Sequence, residues 1–104
     1  MSTEKVVFEI ISLSGDAKSE LQKALKLVHE GTFEKAQELI VKANEHLRKA
    51  HEMQTQELLM REANGEKLSF NVLISHAQDY LMTTYIFKDM VEEIITLYKV
   101  IKNK

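Results

Sequence analysis

Six residues, Ala36, Ile40, Ala43, Leu47, Ala50 and Gln54, recur at alternating intervals of four and three. At about 100° of rotation per residue, that alternation keeps one narrow stripe in line along a helix. A strand, with its period of two, cannot present it. The stripe alternates alanine with larger side chains, so a second helix can approach it closely. Leu58 and Leu59 are expected to extend it. Thr32 is placed as an N-cap with Glu34 just inside, and Asn64-Gly65 is a strong C-terminal stop. The helix so bounded has about 30 residues and is near 45 Å long at 1.5 Å per residue.

A stripe of this kind needs partners, and the flanking sequence supplies two. The chain has no proline and only three glycines, as long unbroken helices require. The first helix starts at Ser2 or Thr3, carries Glu4 in its first turn and has a dense apolar run at Val6, Val7, Phe8, Ile10, Ile11 and Leu13. Ser14-Gly15-Asp16 predicts a kink or break, because glycine inside a helix costs about 1 kcal/mol relative to alanine. The pattern resumes at Ala17, Leu21, Ala24, Leu25 and Val28 and stops at Gly31. After a connector of Glu66-Lys67-Leu68, Ser69 is expected to cap a third helix running from about Phe70 to Val100, with lysines at its C-terminal end. Short connections make long helices antiparallel neighbours. The expected fold is all-α: one domain over residues 1–104, an antiparallel up-down-up three-helix bundle.

The third helix is too apolar for that role alone. Val72, Leu73, Tyr80, Thr83, Phe87, Met90, Ile94, Tyr98 and Ile101 fall within about 60° of His76 on a helical wheel. Ile74, Leu81, Tyr85 and Ile95 occupy other sides. Two neighbours cannot cover so much apolar surface, which predicts oligomerisation or a docked partner. Inside this stripe stand His76 and, at its edge, Asp79. Burying either is costly unless it is partnered.

Composition narrows what the pair can do. Fourteen Lys and Arg against sixteen Asp and Glu give a net charge of −2, which argues against nucleic acid or an anionic membrane as the main partner. There is no cysteine, hence no disulfide, thiolate metal site or thiol nucleophile. No stretch nears the roughly 18 apolar residues of a membrane span, and the first apolar run holds Glu9, unlike a signal peptide. A soluble cytoplasmic protein is expected. No histidine stands at three or four residues from His76, which weakens a zinc site. Ser75 points to a different side of the helix, which weakens a hydrolytic triad. Two readings stand: a polar pair that satisfies itself and sets register, or a histidine nucleophile that carries a group. Asp79 has two as well. It faces solvent, or its copies converge on an oligomer axis, where a divalent cation relieves their repulsion. His29, His46 and His51 read as surface residues, Met53, Met60, Met82 and Met90 as core filler, with an adaptable docking surface the other reading for Met near His76, and the run Glu45-His46-Leu47-Arg48-Lys49 as a solvated face.

The stretch Ser75-His76-Ala77-Gln78-Asp79-Tyr80-Leu81-Met82-Thr83 resembles the active-site segment of the lactose/cellobiose-specific enzyme IIA family of the bacterial sugar phosphotransferase system. The resemblance extends along the chain in order: Val7-Phe8-Glu9-Ile10-Ile11, Ser14-Gly15-Asp16-Ala17-Lys18-Ser19, Phe33-Glu34-Lys35-Ala36, Ala43-Asn44-Glu45, Ala50-His51, Met53-Gln54-Thr55 and Glu93-Ile94-Ile95-Thr96-Leu97-Tyr98.

The resemblance implies a homotrimer of three-helix subunits. It implies that His76 accepts a phosphoryl group from the phosphocarrier HPr and passes it to a cysteine of enzyme IIB. That enzyme serves the enzyme IIC permease, which takes up a β-linked disaccharide of the lactose or cellobiose/chitobiose type. Asp79 matches a carboxylate that meets its copies at the trimer axis, with Mg²⁺ the expected ion. Tyr80 departs from the pattern, since many members have a second histidine there. Gln78 is a candidate amide donor to the phosphoryl group, acting across a subunit boundary. The competing expectation is a helical oligomerisation or interaction module with no covalent step. A two-component histidine-phosphotransfer domain ranks last, because Asp79-Tyr80 occupies the Lys-Gly positions of its usual motif.

Overall fold

The computed structural model describes residues 2–68 and 71–103, all helix, turn and connector, with no strand among them. Helix α1 runs Thr3–His29, α2 Phe33–Gln54, and a π-helical turn over Thr55–Leu59 joins α2 to the short α3, Met60–Ala63. Helix α4 runs Val72–Lys102. Because α2, the π turn and α3 form one rod, the chain makes three rods, up, down and up, as the sequence predicts. The bundle measures 56 × 20 × 18 Å.

The helix ends are built as the punctuation requires. The Ser2 hydroxyl accepts from the Lys5 amide at 3.2 Å. At the other end of α1, Gly31 takes φ +84°. Its amide donates to the Val28 carbonyl at 3.0 Å, and the Thr32 amide to the Leu27 carbonyl at 2.8 Å. Gly65, at φ +93°, ends the second rod in the same way: its amide donates to Glu62 and that of Glu66 to Arg61, both at 3.0 Å. This paired closure satisfies carbonyls that a helix end leaves orphaned and needs a residue free to take positive φ. Thr32 stands at the N-cap of α2 but makes no side-chain capping bond. The expected cap at Ser69 and start at Phe70 lie outside the described residues. Helix α4 begins at Val72, capped by Asn71, whose Oδ1 accepts from the Ile74 amide at 2.8 Å.

The α2 stripe faces inward over its whole length: Ala36, Ile40, Ala43, Leu47, Ala50 and Gln54 are all buried. Facing it, α1 buries Val6, Val7, Ile10, Ala17, Leu21, Ala24 and Val28. The alternation would next put Glu57 inside. The π turn takes up one extra residue, so Leu58 is buried instead and Leu59 is turned out, 48% exposed. The expectation that both leucines extend the stripe therefore holds for Leu58 alone.

Two polar ties set the register between rods. His46 Nδ1 lies 2.7 Å from Glu20 Oε1, joining α2 to α1. The Tyr85 hydroxyl donates to the Leu47 carbonyl at 3.2 Å, joining α4 to α2. Burial pushes the Tyr85 phenol above its usual range, against the opposing pull of nearby Lys88, so the proton it donates is retained. His46 is thus a bridging residue rather than the surface residue expected. Within its run Arg48 pairs with Glu45 and Glu52 in solvent as expected, whereas Leu47 is fully buried as part of the α2 stripe.

The break allowed for at Ser14-Gly15-Asp16 does not occur, and α1 is continuous through it. Ser14 and Ala17 are fully buried on either side of Gly15, and packing outweighs the local cost of glycine. A Cβ added at residue 15 would sit 3.4 Å from the Tyr80 hydroxyl oxygen, an ordinary contact. Gly15→Ala is therefore expected to raise stability by about 0.5–1 kcal/mol, seen as a higher denaturation midpoint. A lower midpoint would show that Tyr80 cannot yield to a methyl. Gly65→Ala should lose about 1 kcal/mol in the same measurement, because a Cβ is strained at its positive φ.

Candidate functional site

Helix α4 turns Ile74, Ala77, Leu81, Thr84, Val91 and Ile95 toward the other rods. That buried arc is centred roughly 100° from His76 on a helical wheel. His76 itself is exposed, as is Asp79, while Ser75, Gln78 and Tyr80 are half-buried. The stripe that the sequence places around His76 is thus not a core face. With both side chains in solvent, no pair has to satisfy itself in the interior, and the register-setting reading of His76 and Asp79 does not hold within this chain.

The outward face has a periodicity of its own. Asp79, Thr83, Ile86, Met90, Glu93 and Leu97 are all exposed, and they alternate by four and three. Val72, at 82% exposure, and Ile101, at 69%, continue the apolar stripe at either end. This second seam lies nearly opposite the buried arc and has Asp79 near its centre, about 60° from His76. Asp79 is therefore in the stripe rather than at its edge. The alternation that identifies the α2 seam is visible here too. It is hidden because His76, Tyr80, Phe87 and Ile94 form a second apolar arc beside it.

Around His76 the structure brings together residues from two helices. The Tyr80 ring stacks on the imidazole with centroids 6.0 Å apart and planes 24° from parallel. Lys18 of α1 holds its ammonium 5.8 Å from the centre of the Tyr80 ring. Lys18, Tyr80, Thr83, Thr84 and Phe87 line a shallow groove beside the stack. The Thr84 hydroxyl donates to the Tyr80 carbonyl at 2.7 Å. That of Thr83 donates to the Asp79 carbonyl at 2.8 Å and to the Tyr80 carbonyl at 3.2 Å. These bonds tie down backbone carbonyls on the turn that carries the site. Lys18 carries no functional signal in the sequence, since it lies 58 positions before His76.

Met82 and Met90, expected as core filler, are both exposed, and so is Met60. Among the described residues no three His, Asp or Glu side chains converge. Asp79 supplies one exposed carboxylate per chain.

The family pattern of the lactose/cellobiose-specific IIA subunit of the phosphotransferase system matches residues 5–99. The chain belongs to this family. It is 47% identical to a lactose-specific EIIA component of Lactococcus lactis over 92 residues, 88% of this chain and 87% of that one. The cellobiose-specific enzyme IIA of Bacillus anthracis, known from a crystal structure, is 42% identical. It superposes with a TM-score of 0.93 over 100% of this chain and 95% of that one. A chitobiose IIA of the Escherichia coli phosphotransferase system, solved in solution as a complex with HPr, is 29% identical. Its TM-score is 0.81 over 98% of both chains. The family assignment accounts for the three-rod architecture without strands. No described helix of this IIA chain is long and apolar enough to cross a membrane.

Proposed function

We propose that this IIA chain is a phosphohistidine carrier: His76 accepts a phosphoryl group from phospho-HPr and passes it to a cysteine of enzyme IIB. The observation that carries this reading is the placement of His76. It is exposed on the outward face of a 31-residue helix, in a chain of the IIA family. One imidazole nitrogen attacks phosphorus as the bond to the donor histidine breaks; the IIB thiolate later attacks the same phosphorus, forming an S–P bond as the N–P bond to His76 breaks. Such transfers depend on in-line positioning and charge stabilisation. A stiff helix supplies the first. The half-buried apolar residues beside His76 help a docked partner exclude water from the labile phosphohistidine. HPr as donor is supported by the solved complex of the chitobiose relative. Enzyme IIB receives the group on behalf of the enzyme IIC permease, and the cargo is a β-linked disaccharide of the lactose or cellobiose/chitobiose type. The work is done in the cytoplasm, where the donor proteins are.

The same reading includes a homotrimer that buries the seam through Val72, Asp79, Ile86, Met90 and Leu97. Three Asp79 carboxylates then meet on the axis. Hard oxygen donors of that kind suit Mg²⁺, whose charge offsets their mutual repulsion. The half-buried Gln78 projects away from His76 on its own helix, so its amide reaches a phosphoryl group only across a subunit boundary.

The exposed seam also fits an association module without covalent chemistry, and phosphate uptake separates the two. Incubation with phosphoenolpyruvate, enzyme I and HPr is expected to add one phosphate per chain, and His76→Ala to add none. Uptake by the variant would move the acceptor elsewhere, and no uptake by the wild type would favour the module. For the assembly, sedimentation should give three times the 12.0 kDa chain mass. Ile86→Asp should reduce it to one chain with helicity retained. Asp79→Leu should keep the trimer while abolishing any response of its stability to Mg²⁺. A wild-type monomer, or a Mg²⁺ response that survives in Asp79→Leu, counts against this assembly.

A further inference from the structure

We infer that Tyr80 is a positioning residue for His76: by stacking it fixes the plane of the imidazole, and helix α1 fixes Tyr80 in turn. The inference rests on His76 being the phosphoryl acceptor. An exposed histidine on a helix has more than one staggered rotamer open to it, and each aims the ring nitrogens differently. In-line attack tolerates little of that freedom. Tyr80 stands one turn on, and its ring lies against the imidazole at 6.0 Å and 24°, inside the range at which aromatic rings attract.

Stacking on a mobile ring would fix nothing, but this ring meets α1 at two points, and its backbone is tied down as well. Its phenol end lies over α1 at Gly15. A Cβ there would come within 3.4 Å of the hydroxyl oxygen and 3.9 Å of Cε2, so the ring rests where α1 has no side chain. One turn along α1, the Lys18 ammonium sits 5.8 Å from the ring centre, within reach of a cation–π attraction. The Tyr80 carbonyl takes hydroxyl bonds from Thr84 and Thr83. The imidazole orientation is thus referred to α1, a different rod, through one aromatic ring. A side chain too short to span from His76 to Gly15 breaks that connection.

The test uses the full chain and measures the rate of phosphate uptake against phospho-HPr concentration. Tyr80→Ala should lower the maximal rate on the order of tenfold, with the KM for phospho-HPr within about twofold. Tyr80→Phe, which keeps the ring, should match the wild type. Tyr80→Leu fills similar space without a ring and should behave as Tyr80→Ala, which guards against misfolding of the smaller variant. A second readout needs no donor. The His76 ring-proton resonances should move when the neighbouring ring current is removed in Tyr80→Leu, and stay in Tyr80→Phe. The role of Tyr80 is overturned if wild type is labelled and Tyr80→Leu keeps pace with it, if Tyr80→Phe is as slow as Tyr80→Leu, or if the resonances do not move. If wild type takes no phosphate, the carrier reading fails instead, and the resonances still decide whether the two rings touch.

Discussion

Everything in this protein depends on the close approach of α1 to the α2 rod along alanine. Ala17 and Ala24 on one side and Ala36, Ala43 and Ala50 on the other are all fully buried. With no atoms beyond Cβ, these positions let the backbones come near while Leu21, Ile40 and Leu47 fill the spaces between them. The result is a narrow two-rod platform. Helix α4 lies on it through one arc, Ile74 to Ile95, and two rods can cover no more than that. The opposite arc of α4 is therefore left in solvent, apolar residues included. The exposure of His76 is thus a consequence of having three rods rather than four.

Much of the fold was legible because its signals are local. The α2 stripe declares its inner face residue by residue, and Ser2, Gly31 and Asn64-Gly65 mark helix ends through bonds within a few residues. Where the reading failed, a tertiary contact had overruled a local preference. Gly15 looks like a break, but burial of Ser14 and Ala17 carries the helix unbroken through it. Leu58 and Leu59 look equivalent, yet the π turn admits only one to the core.

The site was legible in its residues and not in its surroundings. His76 and Asp79 stand out because an imidazole and a carboxylate are unexpected in an apolar stripe. A helical wheel shows which arcs are apolar. It does not show which arc meets a neighbour, and α4 has more than one. The reading accordingly centred the outer stripe on His76, whereas the exposed heptad runs through Asp79. Contacts between rods left no trace at all. Glu20 and His46 are 26 residues apart, and nothing in either neighbourhood announces that they meet. Lys18 is similarly silent until the fold sets it over Tyr80.

The position of His76 along α4 has a consequence of its own. It lies in the second turn, about 6 Å from where the helix starts, with nearly 40 Å of rod beyond it. A visiting protein that clasps this tip leaves the greasy shaft from Ile86 to Ile101 untouched. In the proposed carrier most of the apolar seam lies along this shaft, so the copies can be held together mainly at a distance from the tip that a visitor must reach.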